Sequence, residues 1–150
     1  PSWSPAGIVM TSGGNTVTDN TFNGFGSGVF HQVCDGTNLD STANTFTGNV
    51  FTGNRSGIQV YVAGSCGAVT VDATITGNSF DGGLWSGAGL IDATKIGVRW
   101  NGATRPNDLV AECNWWGSAD GPGAPGASTV TAGVDAAPWN TTSSGPCDGS

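Results

Sequence analysis

Lysine and glutamate each occur once in this 150-residue chain, as Lys95 and Glu112; methionine occurs once and leucine four times. The residues that most favour helix are nearly missing, so little helix is expected. Positive charge is scarce as well. Arg55, Lys95, Arg99 and Arg105 stand against 11 acidic residues, a net charge of −7, and no basic face exists to neutralise phosphates, which excludes nucleic acid as an expected partner. No stretch approaches the roughly 18 consecutive apolar residues of a spanning helix, and no membrane span is expected. Scarce charge does not imply disorder here, because 37% of the residues are hydrophobic and 26 are glycine. That balance is too apolar for a disordered chain and too rich in turns for a helical one. It suits a β-protein with many corners, and the length suits one domain.

The four cysteines, Cys34, Cys66, Cys113 and Cys147, lack the CxxC spacing of zinc and thiol redox sites. Two disulfides and an oxidising compartment are expected, hence a secreted, extracellular or cell-surface protein whose signal peptide has been removed ahead of Pro1. Four cysteines allow three connectivities. Pairing neighbours in sequence, which the repeat below also brings near one another, joins Cys34 to Cys66 and Cys113 to Cys147.

Aligned on itself, the chain yields Val17-Thr-Asp-Asn-Thr-Phe-Asn-Gly24, Phe46-Thr-Gly-Asn-Val-Phe-Thr-Gly53 and Ile75-Thr-Gly-Asn-Ser-Phe-Asp-Gly82, which start 29 residues apart. A fourth segment, Val110-Ala-Glu-Cys-Asn-Trp-Trp-Gly117, follows after 35, with Cys113 in place of the asparagine and Asn101 to Asp108 read as the loop holding the surplus. Gly28-Val29 and Gly57-Ile58 lie eleven residues after the first two starts, and Gly89-Leu90 is shifted by three, so each repeat carries a further strand. A period near 29 with short alternating stretches and glycine corners is what stacked parallel coils require, about four of them. The expected all-β solenoid superposes Val17, Phe46, Ile75 and Val110 in one column, and Phe22, Phe51, Phe80 and Trp115 in another, about 4.8 Å per step. Asn20, Asn49 and Asn78 stack at a corner, where amides hydrogen-bond along the column and asparagine tolerates left-handed backbone angles.

With these residues in view, the chain resembles the right-handed parallel β-helix repeat family of pectate-lyase-like and bacterial surface proteins. The repeated Asn-x-Phe-x-Gly carries part of the likeness. The rest lies in Cys113-Asn-Trp-Trp-Gly-Ser-Ala-Asp-Gly-Pro-Gly123 and Val130-Thr-Ala-Gly-Val-Asp-Ala-Ala-Pro-Trp139, which resemble the last coil and closing segment of such proteins. The resemblance implies a single domain with a partial first coil or cap over 1–14, repeats over 15–119 and a closing segment over 120–150. It implies a fold and a surface location but no reaction, since the family is functionally mixed.

Few residues offer chemistry. His31 and Asp92 share an offset in the first and third repeats with Val60 between them, about 10 Å apart in that register. Asp72, Asp81 and Asp92 form the densest acidic group. Both sets read as isolated corner or turn residues, and no Gly-x-Ser-x-Gly elbow occurs. No catalytic residue, metal or cofactor is expected. One regularity remains: Thr16-Val-Thr18, Thr45-Phe-Thr47 and Thr74-Ile-Thr76 recur with the period, giving two parallel rows of outward threonines. Such rows are a candidate ice- or carbohydrate-binding array. Trp115 and Trp139 are assigned to the closing segment, and Trp3, Trp85, Trp100 and Trp116 to exposed or interfacial positions. Sequons at Asn54-Arg-Ser56 and Asn140-Thr-Thr142 are placed on turns open to glycosylation. Bare solenoid ends expose unpaired strand groups. The expected role is therefore a non-enzymatic structural or adhesive protein whose partner is another copy of itself, stacked end to end into a filament. Carbohydrate or ice binding is the alternative, and a fragment of a polysaccharide-active enzyme is a third reading.

Overall fold

The computed structural model describes residues 5–33, 41–62, 71–81, 96–101 and 108–150. Strand β1 (Ala6–Met10) is followed by the same three-strand sequence, repeated three times. The first set is β2 (Thr16–Thr18), β3 (Thr21–Asn23) and β4 (Ser27–Val33); the second is β5 (Ser41–Thr47), β6 (Val50–Thr52) and β7 (Ser56–Val62); the third is β8 (Val71–Thr76), β9 (Ser79–Asp81) and β10 (Ile96–Asn101). Short strands β11 (Leu109–Val110), β12 (Thr129–Val130) and β13 (Val134–Asp135) follow, then β14 (Trp139–Asn140) and β15 (Cys147–Gly149). No helix occurs among the described residues, as the shortage of helix formers leads one to expect.

Each repeat contributes one strand to each of three parallel sheets, ordered β1-β4-β7-β10-β12, β2-β5-β8 and β3-β6-β9. The pairing between the first two repeats runs in a register of 29, with Val17 opposite Phe46 and Phe22 opposite Phe51, and the third repeat continues it with Ile75 and Phe80. In β2 and β3 the central residue alone is buried, so a three-residue strand suffices to place one apolar side chain inside and two polar ones outside. The rings of Phe22, Phe51 and Phe80 stack at centroid separations of 5.0 and 4.9 Å. The strand spacing sets that distance.

The fourth repeat departs from expectation by one residue. Asn78 donates its backbone N–H to Asn114 Oδ1 at 2.9 Å, Ser79 bridges to Trp115, and Trp116 stacks on Phe80 at 4.8 Å. The offset is thus 36 and not 35. Because side chains alternate across a strand, a slip of one residue exchanges inside for outside. Val110 and Trp115 do not continue the two columns: Val110 is 48% exposed and Trp115 half-buried, while Ala111 and Trp116 are both fully buried. Trp116, expected at an exposed position, is the largest fully buried side chain. Asn114, not Cys113, is the fourth asparagine of the ladder.

The surplus residues are also placed differently. Val98 pairs with Ile58, so Gly97-Val98, and not Gly89-Leu90, matches Gly57-Ile58. From Phe22 to Gly28 and from Phe51 to Gly57 the chain advances six residues, but from Phe80 to Gly97 it advances 17. The insertion therefore falls within 82–95. Asn101 is not loop but the last residue of β10.

Gly7, Gly28, Gly57 and Gly97 form a column of their own. A Cβ at these positions would lie 2.6 to 2.8 Å from a ring carbon of Phe22, Phe51, Phe80 and Trp116 respectively. The aromatic column can be continuous only because a row of glycines, one from each strand of the facing sheet, lies at its edge. At the corner before each ladder asparagine, Asp19, Gly48, Gly77 and Cys113 hold the positive φ angles, from 56° to 66°. The left-handed residue precedes the asparagine and is not the asparagine itself.

At the C-terminal end, β11 pairs with β13, and β14 with β15 in the only antiparallel pair among the described strands. Cys113 and Cys147 form a disulfide that ties this hairpin to the last ladder corner. Cys34 and Cys66 lie outside the described residues.

Candidate functional site

The wall formed by β2, β5 and β8 carries the most regular surface. Thr16, Thr45 and Thr74 are mutually in register, as are Thr18, Thr47 and Thr76. All six are exposed or half-exposed, and the Thr18 and Thr47 hydroxyls lie 3.1 Å apart in a hydrogen bond. The rows end at the third repeat. In the fourth, the offset of 36 sets Val110 against Thr74 and Glu112 against Thr76, and β11 joins β13 instead of extending the sheet of β8. The third and fourth repeats converge where Gly77 N–H donates to the Cys113 carbonyl at 3.0 Å. Away from that point lies an open cleft of about 360 Å³, lined by Asp72, Thr74, Thr76, Asp108, Val110 and Glu112 among others.

Two members of the expected acidic group, Asp72 and Asp81, stand on different strands. Asp72 lines this cleft, whereas Asp81 stands at the end of β9 and accepts a hydrogen bond from Trp115 Nε1 at 3.1 Å. Asp92 lies outside the described residues. Among the described residues no group of three or more His, Cys, Asp or Glu is placed to hold a metal ion.

His31 sits on an inward position of β4, opposite Met10 on one side and Val60 on the other. It is buried, and desolvation pushes its imidazole down to about 4. A buried imidazole between apolar neighbours is held neutral near pH 7 and does not present itself to a substrate. In the third repeat the residue in line with Val60 is Trp100.

Asparagine does more than expected. Asn49 Nδ2 donates to the Val17 carbonyl and Asn78 Nδ2 to the Phe46 carbonyl, while each Oδ1 accepts the backbone N–H of the preceding rung. A second pair, Asn15 and Asn44, repeats the contact at the same spacing. Asn54 makes a third: its Oδ1 accepts Phe25 N–H, and its Nδ2 donates to the Phe22 carbonyl, both at 2.8 Å. Asn54 is buried, and the first sequon is therefore closed to glycosylation in the folded chain. The 29-residue spacing of Asn15 from Asn44 was the signal available for the second ladder; the third has only one asparagine and leaves no repeat to detect.

The two ends differ. The N-terminal end presents β1, β2 and β3, each the outermost strand of its sheet. The C-terminal end presents β12 and β13 as outermost strands and adds the disulfide-tied hairpin, which has Trp139 half-buried against the core, its Nε1 donating to the Ala119 carbonyl, and Asn140 N–H donating to the Asn114 carbonyl. No protein-family model, curated protein or solved structure matches the chain.

Proposed function

We propose that this chain is a right-handed parallel β-helix of the pectate-lyase-like and surface-protein type, and that it serves outside the cell as a non-enzymatic structural module that associates through its end. The observation that carries the reading is that the described sheets end in strands with one unpaired edge, β1, β2 and β3 at one end and β12 and β13 at the other. An uncovered row of strand N–H and C=O groups is a template for pairing, which proteins ordinarily cover or blunt. Further support comes from the walls, where the side chains with chemistry are dispersed: His31 inside, Asp81 against Trp115, Asp72 in the open cleft. Light scattering and electron microscopy of the purified protein test the reading, with a concentration-dependent rise in mass expected. A particle that stays monomeric at high concentration overturns it.

A second reading rests on the threonine rows. Six hydroxyl-bearing side chains in two straight rows form a regular polar array, fit to order water or a carbohydrate chain. Alanine at Thr45, Thr47, Thr74 and Thr76 together should abolish thermal hysteresis or glycan-array binding while preserving the fold, because all four point outward. Binding that survives the four substitutions removes the array from consideration.

A further inference from the structure

We infer that the cleft between β8 and β11 is a docking site for an extended, lysine- or arginine-bearing peptide of a partner protein, which lies along the unpaired edge of β8. Such a contact sits on the side wall and does not depend on how the ends of the molecule associate.

The cleft exists because the fourth repeat leaves the sheet. Thr45 N–H donates to the Asn15 carbonyl, so Thr45 turns its backbone groups toward β2. Its register partner Thr74 then bonds to β5, and alternation turns Ala73, Ile75 and Gly77 the other way, toward β11. Two groups on that edge are used: Gly77 N–H donates to the Cys113 carbonyl, and the Ile75 carbonyl accepts Asn114 Nδ2 at 2.8 Å. Ala73 N–H, Ala73 C=O and Ile75 N–H have no partner among the described residues. On the facing wall, Leu109 and Ala111 donate their N–H groups to the Gly133 and Asp135 carbonyls. The backbone groups of Val110 between them are therefore turned away from β13, on the side of the cleft.

Main-chain donors and acceptors at strand spacing, open within a concave site, are what an extended peptide takes up when it adds itself to a sheet edge. Each strand residue advances about 3.3 Å, so Ala73 and Ile75 set the pairing of about three peptide residues. The volume of about 360 Å³ is that of a small ligand site. Charge selects among peptides. Asp72 and Glu112 stand on opposite walls, and neither carboxylate has a hydrogen bond or ion pair among the described residues. None of the described residues lining the cleft is basic or aromatic. The site is matched to a cationic chain and lacks the aromatic faces on which sugar rings stack. The net charge of −7 attracts the same partner from a distance.

Fluorescence anisotropy tests the site with a labelled, end-blocked hexapeptide of alternating lysine and threonine. Saturable binding with a Kd below about 1 mM is expected, weakening as salt is added. Asp72→Asn combined with Glu112→Gln should weaken it by about tenfold, with circular dichroism unchanged because neither side chain is buried. Asp19→Asn combined with Asp120→Asn removes as much charge away from the cleft and should leave the affinity unaltered. The same peptide with every backbone nitrogen methylated keeps its charge but loses its pairing N–H groups, and should bind about tenfold more weakly. Four outcomes each overturn the proposal: no saturable binding up to about 1 mM, an affinity indifferent to Asp72→Asn with Glu112→Gln, an affinity indifferent to methylation, or tighter binding of a neutral hexasaccharide. Mass by light scattering, which reads association through the ends, is a separate measurement that none of these outcomes decides.

Discussion

An interior ladder asparagine satisfies several backbone groups at once. Asn78 Oδ1 accepts the Asn49 N–H, and Asn78 Nδ2 donates to the Phe46 and Thr76 carbonyls, all in a buried or half-buried setting. Asn78→Ala strands those groups without water, at a cost of about 2–4 kcal/mol. Asn20→Ala, at the exposed first rung, should cost under about 1 kcal/mol. Urea denaturation of the two variants measures the difference, and equal losses would mean that the buried bonds are not what holds the corner. His31 makes stability depend on pH through the opposite kind of burial. Its folded value of about 4 lies below the unfolded 6.5, so the unfolded chain takes up a proton that the folded chain refuses. The stability is complete above about pH 6.5, is lost as pH falls toward 4, and the loss from this group totals about 3 kcal/mol. His31→Leu should flatten that part of the stability–pH curve; an unchanged curve would assign the dependence to other groups.

At the scale of elements, the strands are too short to stand alone. β3, β6 and β9 are three residues each, and what fixes them is the aromatic column running from Phe22 to Trp116 and the glycine column at its edge. Burying one such ring contributes about 2–3 kcal/mol, so the sheets are held by inward side chains as much as by their ladders. The closing hairpin has no comparable column. It depends on the link from Cys113 to Cys147, which closes a separation of 34 residues and stabilises by about 3–4 kcal/mol through the loop-closure entropy of the unfolded chain. Cys147→Ser should loosen β14 and β15 while sparing the β5–β8 pairing. Hydrogen exchange at Trp139 and Asn140 against that at Phe46 and Ile75 tests this, and uniform loss of protection in both regions would show one cooperative unit.

Across the whole molecule, strands pair with partners 29 positions away in the first two repeats and not with their neighbours in sequence, so each repeat leans on the next in line. Such an array opens from its ends. Hydrogen exchange should therefore be slowest at Phe46, Phe51 and Ile58 in the middle repeat and faster around Thr16 and Thr21 in the first repeat, whose backbone groups turn away from β5 and β6. Fast exchange in the middle repeat would contradict the stacked arrangement.

The period of 29, the parallel partners within the first three repeats, the outward threonine rows and the absence of helix were all legible in the amino-acid order, because a two-residue alternation and a fixed repeat length state which side chains must share a face. The pairing of Cys113 with Cys147 was legible as one of three choices. The fourth register was not. Val110 and Ala111 are both apolar, and Trp115 and Trp116 are identical side by side, so local pattern could not choose between offsets of 35 and 36. The choice falls to the Asn78 N–H, whose buried partner is Asn114 Oδ1, a contact between residues 36 apart. Burial of Asn54 and the placement of Gly97 beside Gly57 belong to the same class: each depends on what lies across from a residue in space, and only the assembled sheets supply that neighbour.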